Sequence, residues 1–190
     1  MAFTGGDLAC RAEFYAQLTE KIKERAKRLW VLFETNGYGL IPENLDVLRD
    51  AGVDGFWLDI KAYDEDIYKK LCGVTNRWVL KTPEWILERG FVLEVLVLYI
   101  PGMVEVDQIA KVAKLIADLD DKTPFTILAF FPEYKLSHLR PPTMTEMLTA
   151  YLAVKEVGLK NVKLGNCHVF AKTPMDWENL LEIVGKEAVG

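Results

Sequence analysis

The sequence predicts an α/β fold in which parallel strands alternate with outer helices, and three features of the chain support that prediction. Apolar runs recur along the 190 residues, with amphipathic segments between them. These runs are apolar nearly throughout, which is typical of strands that a parallel sheet buries on both faces. The units follow one another without a linker, so residues 1–190 are expected to form a single domain. A barrel and an open doubly wound sheet are both compatible with this pattern.

The elements are predicted in chain order from their apolar spacing and their end signals. The chain opens on what looks like the end of a strand, Ala2-Phe3-Thr4, followed by a Gly-Gly turn. Further strands are predicted at residues 29–33, 55–60, 91–100, 125–131 and 161–164. Helices are predicted between them at residues 41–51, 64–72, 82–89, 106–119 and 143–157. The helix predicted at residues 41–51 has Pro42 in its first turn and Gly52 directly after its last residue, which are common start and end signals.

Composition excludes several classes of function. A net charge of −5 argues against DNA or RNA as a partner, and the basic run at residues 21–28 alternates with glutamates as a solvated helix face does. The longest apolar run, residues 91–100, is too short to span a bilayer, and no leader is expected. Cys10, Cys72 and Cys167 form neither a disulfide framework nor a metal-ligand spacing, so a reducing cytoplasm is the expected location.

Polar residues gather where the predicted strands end. Each cluster taken singly has an ordinary explanation, because Thr-Asn-Gly is a good turn and a lone histidine is commonly structural. Jointly they favour a shared site at the carboxyl ends of the strands, where parallel sheets bind ligands. The clusters are Thr4 to Asp7, Glu34 to Gly37, Asp59 to Lys61, Pro101-Gly102, Phe131 to Tyr134 and Gly165 to His168.

These clusters resemble motifs of the radical S-adenosylmethionine enzymes, in particular the pyruvate formate-lyase activating enzyme group. Thr4-Gly5-Gly6-Asp7 resembles the Gly-Gly-Glu motif, and Glu34-Thr35-Asn36-Gly37 resembles an Asp-Thr-Asn-Gly turn. Trp57-Leu58-Asp59-Ile60-Lys61 is similar to Met-Leu-Asp-Leu-Lys. Further likenesses are at residues 72–76, 99–102, 140–143 and 165–166, and the order and spacing of the set are more specific than any member.

The resemblance implies a partial (β/α) barrel that lacks its first βα units and binds S-adenosylmethionine. Cofactor contacts would come from Thr4, Gly5, Gly6, Asp7, Glu34, Thr35, Asn36 and Asp59, with Asp7 in the place of the usual glutamate. Asp59 and Lys61 would face substrate or cofactor as the catalytic pair. A monovalent cation would bind at Glu34, Thr35, Trp57 and Asp59. The family's carboxylate-binding arginine falls near Leu96, so this contact is missing or comes from elsewhere.

One departure from the family outweighs the others. The Cys-x3-Cys-x2-Cys loop that holds a [4Fe–4S] cluster has no counterpart in the 190 residues. Cluster ligation needs thiolates that converge on one site. The chain alone is therefore expected to be inactive, whereas its full-length parent would carry the cluster and generate a 5′-deoxyadenosyl radical that abstracts hydrogen.

Two other functions and several partners stay open. Lys61 could form a Schiff base in a barrel lyase or aldolase, or the chain could be a non-catalytic binding module. The resemblance implies a glycyl-radical enzyme as protein substrate, or else a small molecule. Tyr134, Lys135, His138 and Arg140 form the most polar of the late loops, which either contacts the substrate or is an ordinary exposed loop. The strand that opens the chain would leave an unpaired edge, which another chain, such as a second copy in a homo-oligomer, is expected to cover.

Overall fold

A computed structural model describes residues 1–5 and 8–190, and six of its strands form one sheet in the order β1-β2-β3-β4-β5-β6. The strands are β1 (Ala2–Phe3), β2 (Leu32–Thr35), β3 (Gly55–Asp59), β4 (Val92–Tyr99), β5 (Phe125–Ala129) and β6 (Val162–Gly165). The α-helices are α1 (Ala12–Arg25), α2 (Pro42–Asp50), α3 (Glu65–Cys72), α4 (Thr82–Glu88), α5 (Val106–Leu119), α6 (Met144–Val157) and α7 (Pro174–Val184). The pairs β1/β2, β2/β3 and β5/β6 are parallel, so the predicted α/β class is confirmed.

The chain divides into two compact units, Met1–Ile60 with Val74–Val95, and Lys61–Gly73 with Leu96–Gly190. The prediction of a single domain stays a prediction.

The core of the first unit is a row of aromatic rings that runs across the strands. Phe33, Phe56 and Phe91 stack edge to face, with ring centroids 5.8 and 5.0 Å apart. Tyr15 of α1 and Phe3 of β1 continue the row at 5.3 to 5.6 Å. Such T-shaped contacts are a preferred arrangement of aromatic pairs. Through Tyr15 they pack α1 against β1 and β2.

The core of the second unit forms where α5 and α6 pack together and α6 covers β5 and β6. Both helices bury one stripe at spacings of three and four residues, as amphipathic helices do. The buried residues are Ile109, Val112, Ala113 and Ile116 on α5 and Met147, Ala150 and Val154 on α6. The outer edge of β6 is covered by the end of the chain, since Val189 bridges to Leu164 in parallel and the Gly190 amide donates to the Leu164 carbonyl at 2.9 Å.

The second strand begins at Leu32, three residues later than the predicted start at residue 29. Side chains take part in the hydrogen bonds of the residues before it. The Asp54 carboxylate accepts from the Val31 amide at 2.6 Å, and the Lys23 ammonium donates to the Leu29 carbonyl at 2.8 Å. Leu29 and Trp30 are exposed, so apolar composition alone misplaced this strand start.

Helices α1 and α7 are the main elements for which no bounds were predicted. The sequence does carry the start signal of α7, because the Thr173 hydroxyl accepts from the Asp176 amide at 3.1 Å and the Asp176 carboxylate accepts from the Thr173 amide at 2.8 Å. Pro174 stands in the first turn of that helix. This capping box with Pro at the first position is a recognised helix start.

Candidate functional site

The predicted site residues of the first unit lie where β1, β2 and β3 end. Thr4 and Gly5 follow β1, Asn36 and Gly37 follow β2, and Asp59 is the last residue of β3. Gly6 and Asp7, also predicted to bind the cofactor, lie outside the described residues. Strands in a parallel sheet run in one direction, so these ends share one edge of the sheet.

The turn after β2 is built by the side chains that were predicted to contact the cofactor. The Thr35 hydroxyl accepts from the Gly37 amide at 3.1 Å, and the Asn36 amide oxygen accepts from the Tyr38 amide at 2.9 Å. A Cβ atom at Gly37 would lie 2.6 Å from the Leu58 Cδ1 atom, so the turn sits directly on β3. Thr35 and Asn36 therefore shape the backbone of this edge through turn hydrogen bonds of the kind Thr and Asn favour.

The four residues of the predicted cation site divide between the two faces of the sheet. Glu34 is the register partner of Trp57, so these side chains lie on one face, and Asp59 follows Trp57 by two residues on the same face. Thr35 points to the opposite face, where it is buried. Three of the four side chains can therefore converge on one ligand, and Thr35 can reach it only through its backbone.

The backbone at Gly5 is open to a ligand. Its φ is +83°, a conformation that glycine adopts at little cost, and no atom lies within 4 Å of where a Cβ would be. The residues of this unit thus provide accessible backbone beside half-buried and exposed carboxylates. That combination fits a ligand that carries an amino group.

Sequence reasoning missed the residue that supports the turn after β2 from α4. Thr82 is fully buried, and its hydroxyl donates to the Trp78 carbonyl at 3.1 Å, with the Gly37 carbonyl 3.5 Å away. In the sequence, Thr82 before Pro83 looks like an ordinary helix start, so no local pattern indicates its contact with residue 37. Only the tertiary packing of α4 brings the two together.

In the second unit, the loops after β5 and β6 are tied together at their origins. Asn166 adopts a left-handed conformation with φ of 56°, and its side-chain amide donates to the Ala129 carbonyl at 3.1 Å. The His168 ring lies 5.4 Å from the ring of Phe131, which is 44% exposed. Tyr134 and Lys135, predicted to contact substrate, are exposed further along the first of these loops.

Arg140, predicted to contact substrate, is engaged in a structural ion pair. Its guanidinium donates to both carboxylate oxygens of Glu146, at 2.8 and 2.5 Å. Glu146 in turn caps α6 by accepting from the Thr143 amide at 2.7 Å. The Arg140 hydrogen bonds, with further help from Thr143, lower the pKa of Glu146 to about 2. The substrate role of Arg140 stays a prediction, as does that of exposed His138.

Lys61 opens the second unit and is half-buried, as is Asp59 at the end of the first. A Schiff-base lysine is activated by full desolvation or by a neighbouring cation. The half-buried position of Lys61 does not by itself distinguish a Schiff-base lysine from one that faces a cofactor, so the structure lends the lyase hypothesis no added support. The catalytic role of Asp59 and Lys61 stays a prediction.

The cysteines of the chain do not fit an iron–sulfur cluster. No three His, Cys, Asp or Glu residues converge into a metal-binding group in residues 1–5 and 8–190. Cys10 and Cys72 are exposed, whereas the buried Cys167 thiol donates to the Leu164 carbonyl at 3.3 Å. Burial raises the pKa of Cys167, which disfavours the thiolate that a metal would bind.

Comparison with known proteins gives a consistent result. A family model described as the radical SAM superfamily matches residues 1–116. A protein of Methanocaldococcus jannaschii, named as a candidate glycyl-radical enzyme activating enzyme, is 29% identical over 156 residues, covering 80% of this chain and 56% of the relative. An uncharacterized protein of the same organism is 35% identical over 136 residues, covering 70% of this chain and 39% of the relative. The chain spans about half the length of these relatives, or less.

Two solved structures share the fold. A domain of a pyruvate-formate lyase-activating enzyme from Bacteroides vulgatus has a TM-score of 0.74 at 18% identity, covering 87% of this chain and 98% of that one. SuiB of Streptococcus suis, bound to S-adenosylmethionine, has a TM-score of 0.69 at 15% identity, covering 97% of this chain and 44% of that one. At these identities the likeness concerns the fold alone.

Proposed function

Because the chain belongs to the radical S-adenosylmethionine superfamily, we propose that it is the S-adenosylmethionine-binding part of an enzyme related to glycyl-radical activating enzymes. The observation that carries the proposal is the shared edge in the first unit, where Gly5, Glu34 and Asp59 lie at or just beyond the carboxyl ends of three successive parallel strands. The family match covers the same part of the chain. The alternatives, a lyase and a non-catalytic module, gain no comparable support.

The residues of the first unit would bind and orient S-adenosylmethionine. Accessible backbone at Thr4 and Gly5 would approach the methionine moiety, and the Glu34 and Asp59 carboxylates would attract its ammonium and sulfonium charges. Thr35 and Asn36 would hold the turn in shape. Gly6 and Asp7 are proposed for the same region by their place in the sequence. A monovalent cation beside Glu34, Trp57 and Asp59 would offset the negative charge of the two carboxylates.

Reductive cleavage of S-adenosylmethionine to a 5′-deoxyadenosyl radical needs an electron from a [4Fe–4S] cluster, which is the cofactor's chemistry. The described cysteines do not fit that cluster, so no step through it is assigned to this chain. We propose that the ligands belong to a longer parent protein, which the greater length of the relatives supports, and that the 190 residues alone are inactive.

Calorimetric titration with S-adenosylmethionine tests the binding proposal. We expect the chain to bind the cofactor, and Asp59→Asn to weaken binding at least tenfold because it removes a carboxylate without changing the shape of the residue. Asp66→Asn, at an exposed position of α3, is the matched control and should bind as the parent chain does. Absence of binding to the unmodified chain would contradict the proposal.

A second experiment separates inactivity from a wrong assignment. After anaerobic treatment with iron, sulfide and dithionite, the 190-residue chain should form no 5′-deoxyadenosine, whereas a longer protein that supplies the Cys-x3-Cys-x2-Cys loop should form it. Turnover by the short chain would refute its inactivity. Failure of the longer protein to take up iron would refute the radical chemistry.

Partners and location are proposed from the relatives and the sequence. A glycyl-radical enzyme is the protein substrate that the named relative suggests, and a small molecule is the other candidate. The outer edge of β1 pairs with no strand among the described residues, and a second copy could cover it. No described helix combines the length and apolar character that a membrane span requires. The cytoplasmic location predicted from the cysteines stays a prediction.

A further inference from the structure

Trp57 is an exposed tryptophan in the middle of β3, a strand that has a neighbour on either side. Its side chain is 36% exposed, whereas Phe56 and Leu58 beside it are buried on the opposite face of the sheet. A strand in a parallel sheet is ordinarily covered on both faces. Because β2 and β4 flank β3, the exposure of Trp57 does not arise at an open edge of the sheet.

The indole ring of Trp57 has neither an aromatic nor a cationic partner among residues 1–5 and 8–190. Other aromatic residues of the chain do have one. The ring centroids of Trp78 and Trp85 lie 6.0 Å apart, and the Lys135 ammonium lies 5.5 Å from the centroid of the Tyr134 ring. A ring without such a partner can offer its π face to a ligand.

Two carboxylates lie beside Trp57 on the same face of the sheet. Glu34 is its register partner on β2, and Asp59 follows it by two residues on β3. Side chains alternate along a strand, so residues that are two apart share a face, as do register partners. Negative charge therefore lies next to the indole ring.

A third carboxylate, that of Glu94, belongs to the same face. A Cβ atom at Gly55 would lie 3.0 Å from the Val92 Cβ atom, so these two positions face the same way, and Glu94 follows Val92 by two residues. Strands β1 to β3 and residues 92–95 of β4 place no lysine or arginine on this face. Lys61, which comes after β3, belongs to the second unit. The face is therefore suited to a ligand that carries positive charge.

S-adenosylmethionine, the proposed ligand of this site, carries two positive groups that a protein binds in different ways. Its ammonium donates hydrogen bonds, for which carboxylates are strong acceptors. Its sulfonium has no N–H or O–H group to donate. Nearby negative charge and the π face of an aromatic ring both stabilise such a cation. Trp57 is an aromatic residue that stands beside the carboxylates of the site.

We propose that the indole ring of Trp57 contacts the sulfonium group of S-adenosylmethionine and makes the site prefer this charged cofactor to S-adenosylhomocysteine. The second compound lacks the methyl group on sulfur, so its sulfur is uncharged, whereas its ammonium is the same. The inference rests on the proposed function. It gives the side chain of Trp57 a role in specificity, in addition to the place of this residue in the predicted cation site.

Calorimetric titration of the 190-residue chain with both ligands tests the inference. The unmodified chain should bind S-adenosylmethionine more tightly than S-adenosylhomocysteine. Trp57→Leu removes the ring and should lower this preference about fivefold or more, because it weakens binding of the sulfonium ligand alone. Trp57→Phe keeps a smaller π face and should give an intermediate preference.

Two further variants separate the sulfonium contact from other effects. Trp78→Leu removes a tryptophan that is 50% exposed and stacks on Trp85, and it should leave both affinities unchanged. Asp59→Asn should weaken the binding of both ligands, because each carries the ammonium. Circular dichroism of each variant establishes that it is folded.

The outcomes distinguish a failure of this inference from a failure of the proposed function. Equal affinities of the unmodified chain for the two ligands would overturn the inference alone. So would a Trp57→Leu variant that loses affinity for both ligands by the same factor, since the ring would then be an apolar contact only, or one that loses affinity for neither. Failure of the unmodified chain to bind either ligand would overturn the proposed function and the inference with it.

Discussion

At the scale of single residues, several polar side chains of the candidate site also build the backbone that presents it. Thr35 and Asn36 close the turn after β2, and Asn166 ties the loop after β6 to the end of β5. The sequence indicated these positions because residues suited to turns stood at successive strand ends. It could not indicate which side-chain atoms already form hydrogen bonds within the turns, since that depends on turn geometry.

Glu146 provides a pH-dependent contribution to stability. Hydrogen bonds from Arg140, and then from Thr143, lower the pKa of this carboxyl from its ordinary value of 4.5 to about 2. A lowered pKa means that the folded state favours the ionised form, so the contribution is fully present above pH 4.5 and is lost as the pH falls toward 2. Urea unfolding at pH 6 and pH 3 should show a smaller loss of stability in Glu146→Gln than in the parent chain. The control Glu182→Gln, at an exposed position, should lose as much unfolding free energy between pH 6 and pH 3 as the parent chain does. Equal losses in all three proteins would contradict the prediction.

At the scale of elements, the sequence predicted most strands and helices but not their exact limits. Helix α5 matches its predicted bounds, and β3 and α4 each end one residue earlier than predicted, because apolar spacing and end signals coincide there. The start of β2 was predicted three residues too early, because Asp54 and Lys23 form hydrogen bonds with the segment before the strand. Such long-range contacts leave no local pattern in the sequence. β5 ends at Ala129, before Pro132, which lacks the amide that would continue the ladder. The sequence could therefore predict that the candidate site lies at the strand ends. It could not predict that Thr82 of α4 supports the turn after β2.

The approach of β3 to β4 depends on the absence of a side chain at Gly55. A Cβ atom there would lie 2.5 Å from the Val92 carbonyl oxygen, and this backbone atom cannot move without disturbing β4. We expect Gly55→Ala to lower the free energy of unfolding by roughly 1–3 kcal/mol, the range found for overpacked interiors. Gly190→Ala adds the same methyl group where the nearest atom is 3.7 Å away and should change stability by less than about 0.5 kcal/mol. Equal changes in the free energy of unfolding for the two substitutions, measured in urea, would contradict the prediction. They would mean that the backbone around Gly55 can shift to accept a methyl group.

At the scale of the whole molecule, the two edges of the sheet differ in how they are protected. Val189 and Gly190 cover the outer edge of β6, whereas no described strand covers that of β1. An open edge can pair with a further strand, whether that strand comes from a longer parent protein or from a second copy.

The accessibility of the three cysteines tests this view of the molecule as a cofactor-binding scaffold without its own cluster. Cys10 and Cys72 are exposed, whereas Cys167 is 2% exposed and its pKa is raised by burial. A thiol reacts as the thiolate and only when a reagent can reach it. Titration with a chromogenic disulfide under reducing-agent-free conditions should therefore detect two thiols in the native protein and three in urea. Incubation with iron and sulfide, followed by removal of both on a desalting column, should leave the native titre unchanged, because the two reactive thiols belong to no group of three metal-binding residues in the described chain. Protection of both exposed thiols by iron would show instead that the chain assembles a metal centre of its own.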